Sequence, residues 1–278
     1  MSGSRTGSIL ALSKKEFMDN VRSKWVLILG ILFVALILLI SAYGGYQSRQ
    51  EAGIKGYRFT INFSASIVVL LISIVAIIMG YKTLVSEVET NSIALILSSE
   101  LSRKDVVLGK FIGLSSVLAA SIIGGLGIGG IVIGITSGFE DLGIYVQFIF
   151  LSVLFSMTYL SISVMASSFV KKTSRGLAAG IMVWVFFNII YDILLLAVLL
   201  VSGWELPTEI GEIFYPDWYR YATLINPNGA FGTGASLLTD SISNLPGLIN
   251  LPLLVLILLI WIVVPLLIGM LYFDRRDL

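Results

Sequence analysis

The sequence predicts an all-α, polytopic integral membrane protein. Three observations predict it. First, 57% of the 278 residues are apolar and only 13% are charged, about half the charged share of an ordinary soluble domain, and the mean hydropathy is +0.97. A water-soluble chain of this length needs more charge on its outer shell. Second, six apolar runs are each long enough to cross about 30 Å of hydrocarbon as a helix. Third, the charges gather at the ends of those runs.

The elements follow in order. Residues 1–24 read as an amphipathic helix lying in the membrane interface. Ser13 and Glu16 have the spacing of a capping box, and Leu12 with Phe17 that of a hydrophobic staple. Phe17, Val21 and Trp25 recur every four residues, with Arg22 and its basic neighbours on the polar side. Two readings stand: a plain anchor, or an elbow that also touches a partner at that membrane face. The predicted spans are 25–43, 61–81, 107–135, 144–170, 177–202 and 248–272. The first has the length and flanks of a retained anchor rather than a cleaved leader. Pro252 and Pro265 predict kinks in the sixth.

With the N-terminus inside, fourteen of the eighteen basic residues fall on inner segments. The inner face then sums to +6 and the outer to −4, with Asp192 left within a span. The positive-inside rule therefore places both termini in the cytoplasm, as an even number of spans requires.

The chain has no His and no Cys. That excludes thiol or imidazole catalysis, zinc sites built on those ligands, and disulfides. No P-loop pattern is present, and Gly125-x-Gly127-x-x-Gly130 lies in an apolar span with no preceding strand, so it does not read as a dinucleotide site. Gly109/Gly113, Gly125/Gly129, Gly130/Gly134 and Gly176/Gly180 instead have the spacing of close helix packing. The composition points away from nucleic acid and from enzymatic chemistry, and no metal site is expected.

The segment 82–106 is longer than a tight connection requires. Ser86-Glu87-Val88-Glu89 and Ser102-Arg103-Lys104-Asp105 both read as capping boxes, and Ile93, Ile96 and Leu97 form an apolar stripe between them. Two readings stand: a solvated connector, or a helix that docks a partner. Glu89-x-x-Ser92-Ile93-Ala94-Leu95-Ile96-Leu97-Ser98, then Ser102-Arg103-x-Asp105 through Leu108-Gly109-Lys110-Phe111-x-Gly113, resembles the second-span loop of type-2 ATP-binding-cassette (ABC) transporter permeases. The leading Lys15-Glu16-Phe17-x-Asp19-x-x-Arg22-x-Lys24-Trp25 and the later Asn226-Pro227-Asn228 with Ala230-Phe231 are similar to the same family, and its six-span layout covers the whole chain. The branch most resembled is the permease of the nitrous-oxide-reductase maturation system, which handles copper.

The resemblance implies a permease subunit of an exporter that pairs with a second copy or a paralogue and carries two ATP-binding subunits. ATP and Mg would sit on those partners, with no cofactor in this chain. It implies that Glu87, Glu89, Ile93, Ile96, Leu97 and Arg103 belong to the main coupling helix and its flank. Lys171, Lys172 and Arg175 would make a second contact, although orientation charge alone also accounts for them. The N-terminal stretch would be the interface helix. The alternative is a secondary transporter or channel using Asp192 as an ion site.

Polar groups within the membrane are few. Asp192 is the one charge deep in a span, and Asn188 sits one turn before it. Such a carboxyl costs about 3 kcal/mol at a span centre. Structural hydrogen bonding and a substrate, cation or gating role both remain open for it. Ser152, Ser156, Tyr159, Ser163 and Ser167 make one polar stripe along span four. That stripe serves either helix packing or the lining of a path. Segment 203–247 reads as an aromatic interfacial lid or a re-entrant element, with a turn at Asn226–Gly229 and a short helix over Gly229–Leu238.

Overall fold

The computed structural model describes residues 5–50, 56–89, 102–204, 215–242 and 245–275. These residues are helical with short connections, and no strand occurs among them. Helix α1 spans Arg5–Val21 and α2 Lys24–Gln50. Helix α3 (Gly56–Ile67) passes through a π-helical turn, Val68–Ile72, into α4 (Ser73–Gly80), and α5 (Val85–Glu89) follows. Helix α6 is Arg103–Ser137 and α7 Leu142–Phe169. Helix α8 (Thr173–Val185) passes through a second π-helical turn, Phe186–Ile190, into α9 (Tyr191–Val201). Two shorter helices, α10 (Asp217–Ile225) and α11 (Pro227–Leu238), precede α12 (Leu251–Arg275).

Six of these helical stretches are long and apolar enough to cross a membrane: Leu27–Arg49, Gly56–Glu89, Arg103–Ser137, Leu142–Phe169, Thr173–Val201 and Leu251–Arg275. Six crossings put both ends of the described chain at one end of the bundle, here called the terminal end. Ion pairing there joins Lys104 to Asp274 at 3.1 Å.

Helix α7 lies at the centre, packed on α12, α4 and α6, while α6 carries α2 and α1 on its other side. The serine stripe of α7 explains its central place. Small side chains let neighbouring backbones approach, and their hydroxyls find backbone partners. Ser161 donates to Ile262 O at 2.6 Å and Ser163 to Ile77 O at 3.0 Å, while the Ser167 hydroxyl accepts from the backbone N–H of Leu84 and Val85 at 3.1 Å. Glycines do the same for α6. A Cβ at Gly125 would lie 3.0 Å from the Phe33 ring, and one at Gly129 would lie 2.7 Å from Ile37, so a side chain at either position would push α2 off α6.

Local structure departs from the sequence reading at four places. Helix α1 begins by Arg5, so Ser13 is interior to it rather than a cap. Its hydroxyl donates to Ile9 O and to Gly109 O, both at 2.9 Å. The turn containing Ile9, Leu12 and Ser13 is held helical by packing on α6, which outweighs the local capping signal. Likewise α5 starts at Val85 and Ser86 donates back to Lys82 O at 2.6 Å, so Ser86 stands inside the helix rather than at its N-cap. Asn226 is an N-cap, accepting from Asn228 N at 3.0 Å, with Pro227 opening α11; proline at the first helical position lacks only an N–H that has no partner anyway. Pro252 falls in the first turn of α12, where it needs no kink, and Pro265 alone lies inside that helix. The capping box at Ser102 and Asp105 is present on both sides, and it starts α6 at Arg103.

Candidate functional site

Two polar clusters stand out against the apolar bundle, one at the terminal end and one within its far half. The first centres on Lys110. Its position in α6 is fixed by the apolar faces of that helix, which turn residue 110 inward between α1 and α5. Only 4% of its side chain is exposed, yet Nζ lies 2.6 Å from Glu16 Oε1 and 3.0 Å from Glu87 Oε1. A polar cavity of about 210 Å³ adjoins the cluster, bordered also by Asp19 and Ser86. Glu16 is therefore on the packed face of α1. A Cβ on Gly113 would sit 2.6 Å from Ser13 O and 2.7 Å from Glu16 Cβ, which shows how close α1 lies.

Glu89, at the end of α5, turns the other way. Its Oε2 accepts from Thr173 N at 2.9 Å and from the Thr173 hydroxyl. A carboxylate at a helix N-terminus satisfies N–H groups that have no intrahelical partner, so Glu89 caps α8. Val85–Glu89 is thus fastened to α1 and α6 through Glu87 and to α8 through Glu89. Arg103 Nη1 reaches the carbonyls of Phe273 and Asp274 at 3.5 and 3.4 Å, so α6 and α12 are joined beside it.

The sequence-predicted residues distribute as follows. Glu87, Glu89 and Arg103 lie at this end, and Lys171, Lys172 and Arg175 are exposed just before and within the first turn of α8. Ile93, Ile96 and Leu97 lie outside the described residues. On α1, Phe17 is partly buried against the core and Val21 is 38% exposed. Arg22 is exposed in the break before α2, and Trp25 falls in the first turn of α2. That break divides the Phe17, Val21 and Trp25 repeat between two helices. Lys110 was legible only as orientation charge. The signal for its role is a lysine one turn inside an apolar helix, which needs an anionic partner.

The second cluster joins α7, the π-turn of span five and the start of α11. Tyr159 is buried; its hydroxyl donates to Asn228 Oδ1 at 2.6 Å and accepts from Asn188 Nδ2 at 3.4 Å. Asn188 also donates to Trp184 O at 3.0 Å. Asn226 Nδ2 donates to Phe187 O at 2.8 Å and reaches Asp192 Oδ1 at 3.4 Å, while Asn228 Nδ2 donates to Phe187 O at 3.1 Å. Helix α11 is seated by Phe231, which is fully buried with its ring centroid 4.7 Å from that of Phe155. Ser156 and Ser163 are buried and bond carbonyls, Ser156 that of Val153 at 2.7 Å; the stripe touches the polar cluster through Tyr159. Asp192 itself is exposed on the surface of one chain. So is most of span five, the least buried of the six. The sequence gives no sign of Asn226 as the partner of Asp192, because nothing local links residues 34 apart.

No group of three or more carboxylates able to hold a metal occurs among the described residues. What the arrangement offers is mechanical: fastened helices at one end, a hydrogen-bonded polar seam at the other, and an exposed carboxylate in an apolar span.

A six-span bundle with these features is a multi-pass integral membrane protein. Comparison with known proteins agrees. The family model described as ABC-2 family transporter protein matches residues 10–278. A probable ABC transporter permease protein NosY of Stutzerimonas stutzeri is 31% identical over 276 residues, covering 95% of this chain and 97% of that relative. Another, from Pseudomonas aeruginosa, is 27% identical over 246 residues, covering 86% and 88%. The chain belongs to the ABC-2 transporter family, as a type-2 ABC permease of the NosY branch. Membership sets aside the ion-driven carrier or channel as the alternative class. Permease subunits of ABC transporters are not themselves enzymes.

Proposed function

We propose that this permease is an exporter driven by ATP, working as a pair of permease chains with two ATP-binding subunits that hold the ATP and Mg. In this reading the terminal end faces the cytoplasm, as the +6 charge of its segments supports. The partners dock on the segment that follows Glu89, through Ile93, Ile96 and Leu97, with Lys171, Lys172 and Arg175 as a second contact. The likeness to the NosY permeases, together with the sequence's resemblance to the permease of the nitrous-oxide-reductase maturation system, supports work in such a system.

The observation that carries the reading is the double fastening of α5. A loop pushed by a nucleotide-driven partner moves the spans only if its base is rigidly attached. Here the base is held by Lys110 on one side and by the α8 N-terminus on the other. A thrust on the loop would thus reach spans two, three and five together, with α1 carried along through Glu16.

Tagged permease is expected to capture its ATP-binding subunit from native membranes in a two-to-two complex, measured by mass of the purified assembly. Leu97→Asp puts a charge into the docking stripe. It is expected to cut that capture at least tenfold while leaving the permease in the membrane. Undiminished capture by this variant would remove Leu97 from the contact, and capture of no ATPase by the parent would sink the coupling reading.

Asp192 and the polar seam fit a place beside the path, on the face where the second permease would lie. An exposed carboxylate facing lipid is costly, whereas one facing a partner or a hydrated path is not. Asp192→Asn keeps the shape and removes the charge. ATP turnover of the reconstituted complex is expected to change about tenfold, with subunit capture intact. Turnover equal to the parent's would leave Asp192 only its bond to Asn226.

A further inference from the structure

Spans two and five each contain a π-helical turn, Val68–Ile72 and Phe186–Ile190. Such a turn holds one residue more than the α-turn it replaces and has poorer hydrogen-bond geometry. It persists where the carbonyls it displaces find other donors, because a backbone carbonyl without a partner in lipid is costly. In span two the donor is local: the Ser73 hydroxyl turns back to the carbonyls of Val69 and Leu70. In span five it is not. The Tyr191 N–H bonds Phe186 O, five residues back, so the carbonyl that an α-helix would have given it, that of Phe187, is free. Phe187 O accepts both side-chain amides of the Asn226-Pro227-Asn228 turn, at 2.8 and 3.1 Å. The extra residue in span five is thus held by a segment 39 residues further along the chain.

We propose that Asn226 and Asn228 are a latch that selects the register of the far half of span five. With the latch closed, Phe187 O is occupied by the two amides and the π-turn stands. With it open, Phe187 O takes the Tyr191 N–H, the turn closes to α, and everything from Tyr191 onward rotates by about 100° and shifts by about 1.5 Å. The near half does not follow, because Trp184 Nε1 is bonded to Ser73 Oγ at 2.8 Å and ties it to span two. Asp192 lies just beyond the turn, so the latch sets which way its carboxylate points. Tyr191, whose hydroxyl donates to Ala222 O at 2.6 Å, would leave α10 in the same step. The two asparagines are positioning residues that act through the backbone of span five, and the step needs neither nucleotide nor a partner.

The chain has no Cys, so a nitroxide can be placed at each of positions 193–200 in turn in the full-length permease in nanodiscs. Oxygen accessibility then reports which residues face the protein. In the parent the minima are expected at Leu195 and Leu199, the buried residues of α9. The informative variant is Asn226→Ser with Asn228→Asp. Serine still caps α11 and the carboxylate still accepts from Tyr159, but both donors to Phe187 O are gone. The minima are expected to move by one residue, to positions 194 and 198. Minima that stay at 195 and 199 overturn the proposal. Should the double variant not accumulate in membranes, Asn226→Ser alone is expected to spread the minima over both pairs of positions, and sharp minima at 195 and 199 in it overturn the proposal equally. No ATPase is present in this measurement, so its outcome stands apart from that of the coupling reading.

Discussion

Lys110→Met is expected to destabilise the permease by about 3 kcal/mol, the lower end of the cost of breaking a buried ion pair. The estimate follows from the geometry of the cluster. Lys110 is 4% exposed, and its removal leaves Glu16 and Glu87, 14% and 20% exposed, facing the same site without the lysine between them. Residual contact with water and the adjoining polar cavity place the cost at the low end of the range rather than the high end. Methionine fills the space of the lysine stem, so the loss is electrostatic and not a void. Thermal unfolding of the purified protein in nanodiscs measures it. The combination Lys110→Met, Glu16→Gln and Glu87→Gln is expected to regain most of the loss, because the unpaired charges go with the pair. A single variant within about 0.5 kcal/mol of the parent, the ordinary range for a surface change, would mean that the cluster fastens nothing. The functional consequence is specific as well. Without Lys110, α5 loses its ion pair to α6, and a push on the segment beyond it would bend its base instead of tilting α6.

The gross architecture was legible because lipid imposes it. A span needs an unbroken apolar run, and each run in this chain is bounded by the charges and aromatic residues that tolerate an interface. Helix contacts were legible where they depend on residue size, as at Gly125 and Gly129 beneath α2. Contacts that depend on the fold were not. Ser13-x-x-Glu16 matches a capping box residue for residue, yet Glu16 finds its partner 94 positions away, and the same serine bonds the backbone of α6. Glu89 has one oxygen that caps the helix beginning at Thr173, 84 positions away, which no local pattern announces. The π-turns have no signature at all, since Phe-Phe-Asn-Ile-Ile is as good an α-helix as its flanks. The one in span five stands because donors elsewhere in the chain hold the displaced carbonyl, which a local reading cannot see. Asp192 was legible as unusual and not as exposed, since exposure depends on where α9 stands in the bundle.

The second large effect is expected at Gly113. A Cβ there would lie 2.6 Å from Ser13 O and 2.7 Å from Glu16 Cβ. The first of these is backbone and cannot swing aside, so α1 must move off α6 as a body. Gly113→Val is expected to destabilise by about 3 kcal/mol, the upper end for overpacking a close contact. Thermal unfolding again reports it. Gly124 is the control in the same helix. A Cβ there meets nothing within 4 Å, so Gly124→Ala should instead stabilise, by about 0.5–1 kcal/mol from helix propensity. Equal effects at the two positions would mean that α1 does not sit where Gly113 places it. The double variant Gly113→Val, Lys110→Met gives a further result. Displacing α1 also pulls Glu16 from Lys110 and Ser13 from Gly109 O, so the two changes remove overlapping interactions and their costs should fall short of additive by about 1 kcal/mol or more. Full additivity would separate the glycine contact from the ion cluster, and α1 would then be a passenger on α6 rather than part of the clamp that holds α5.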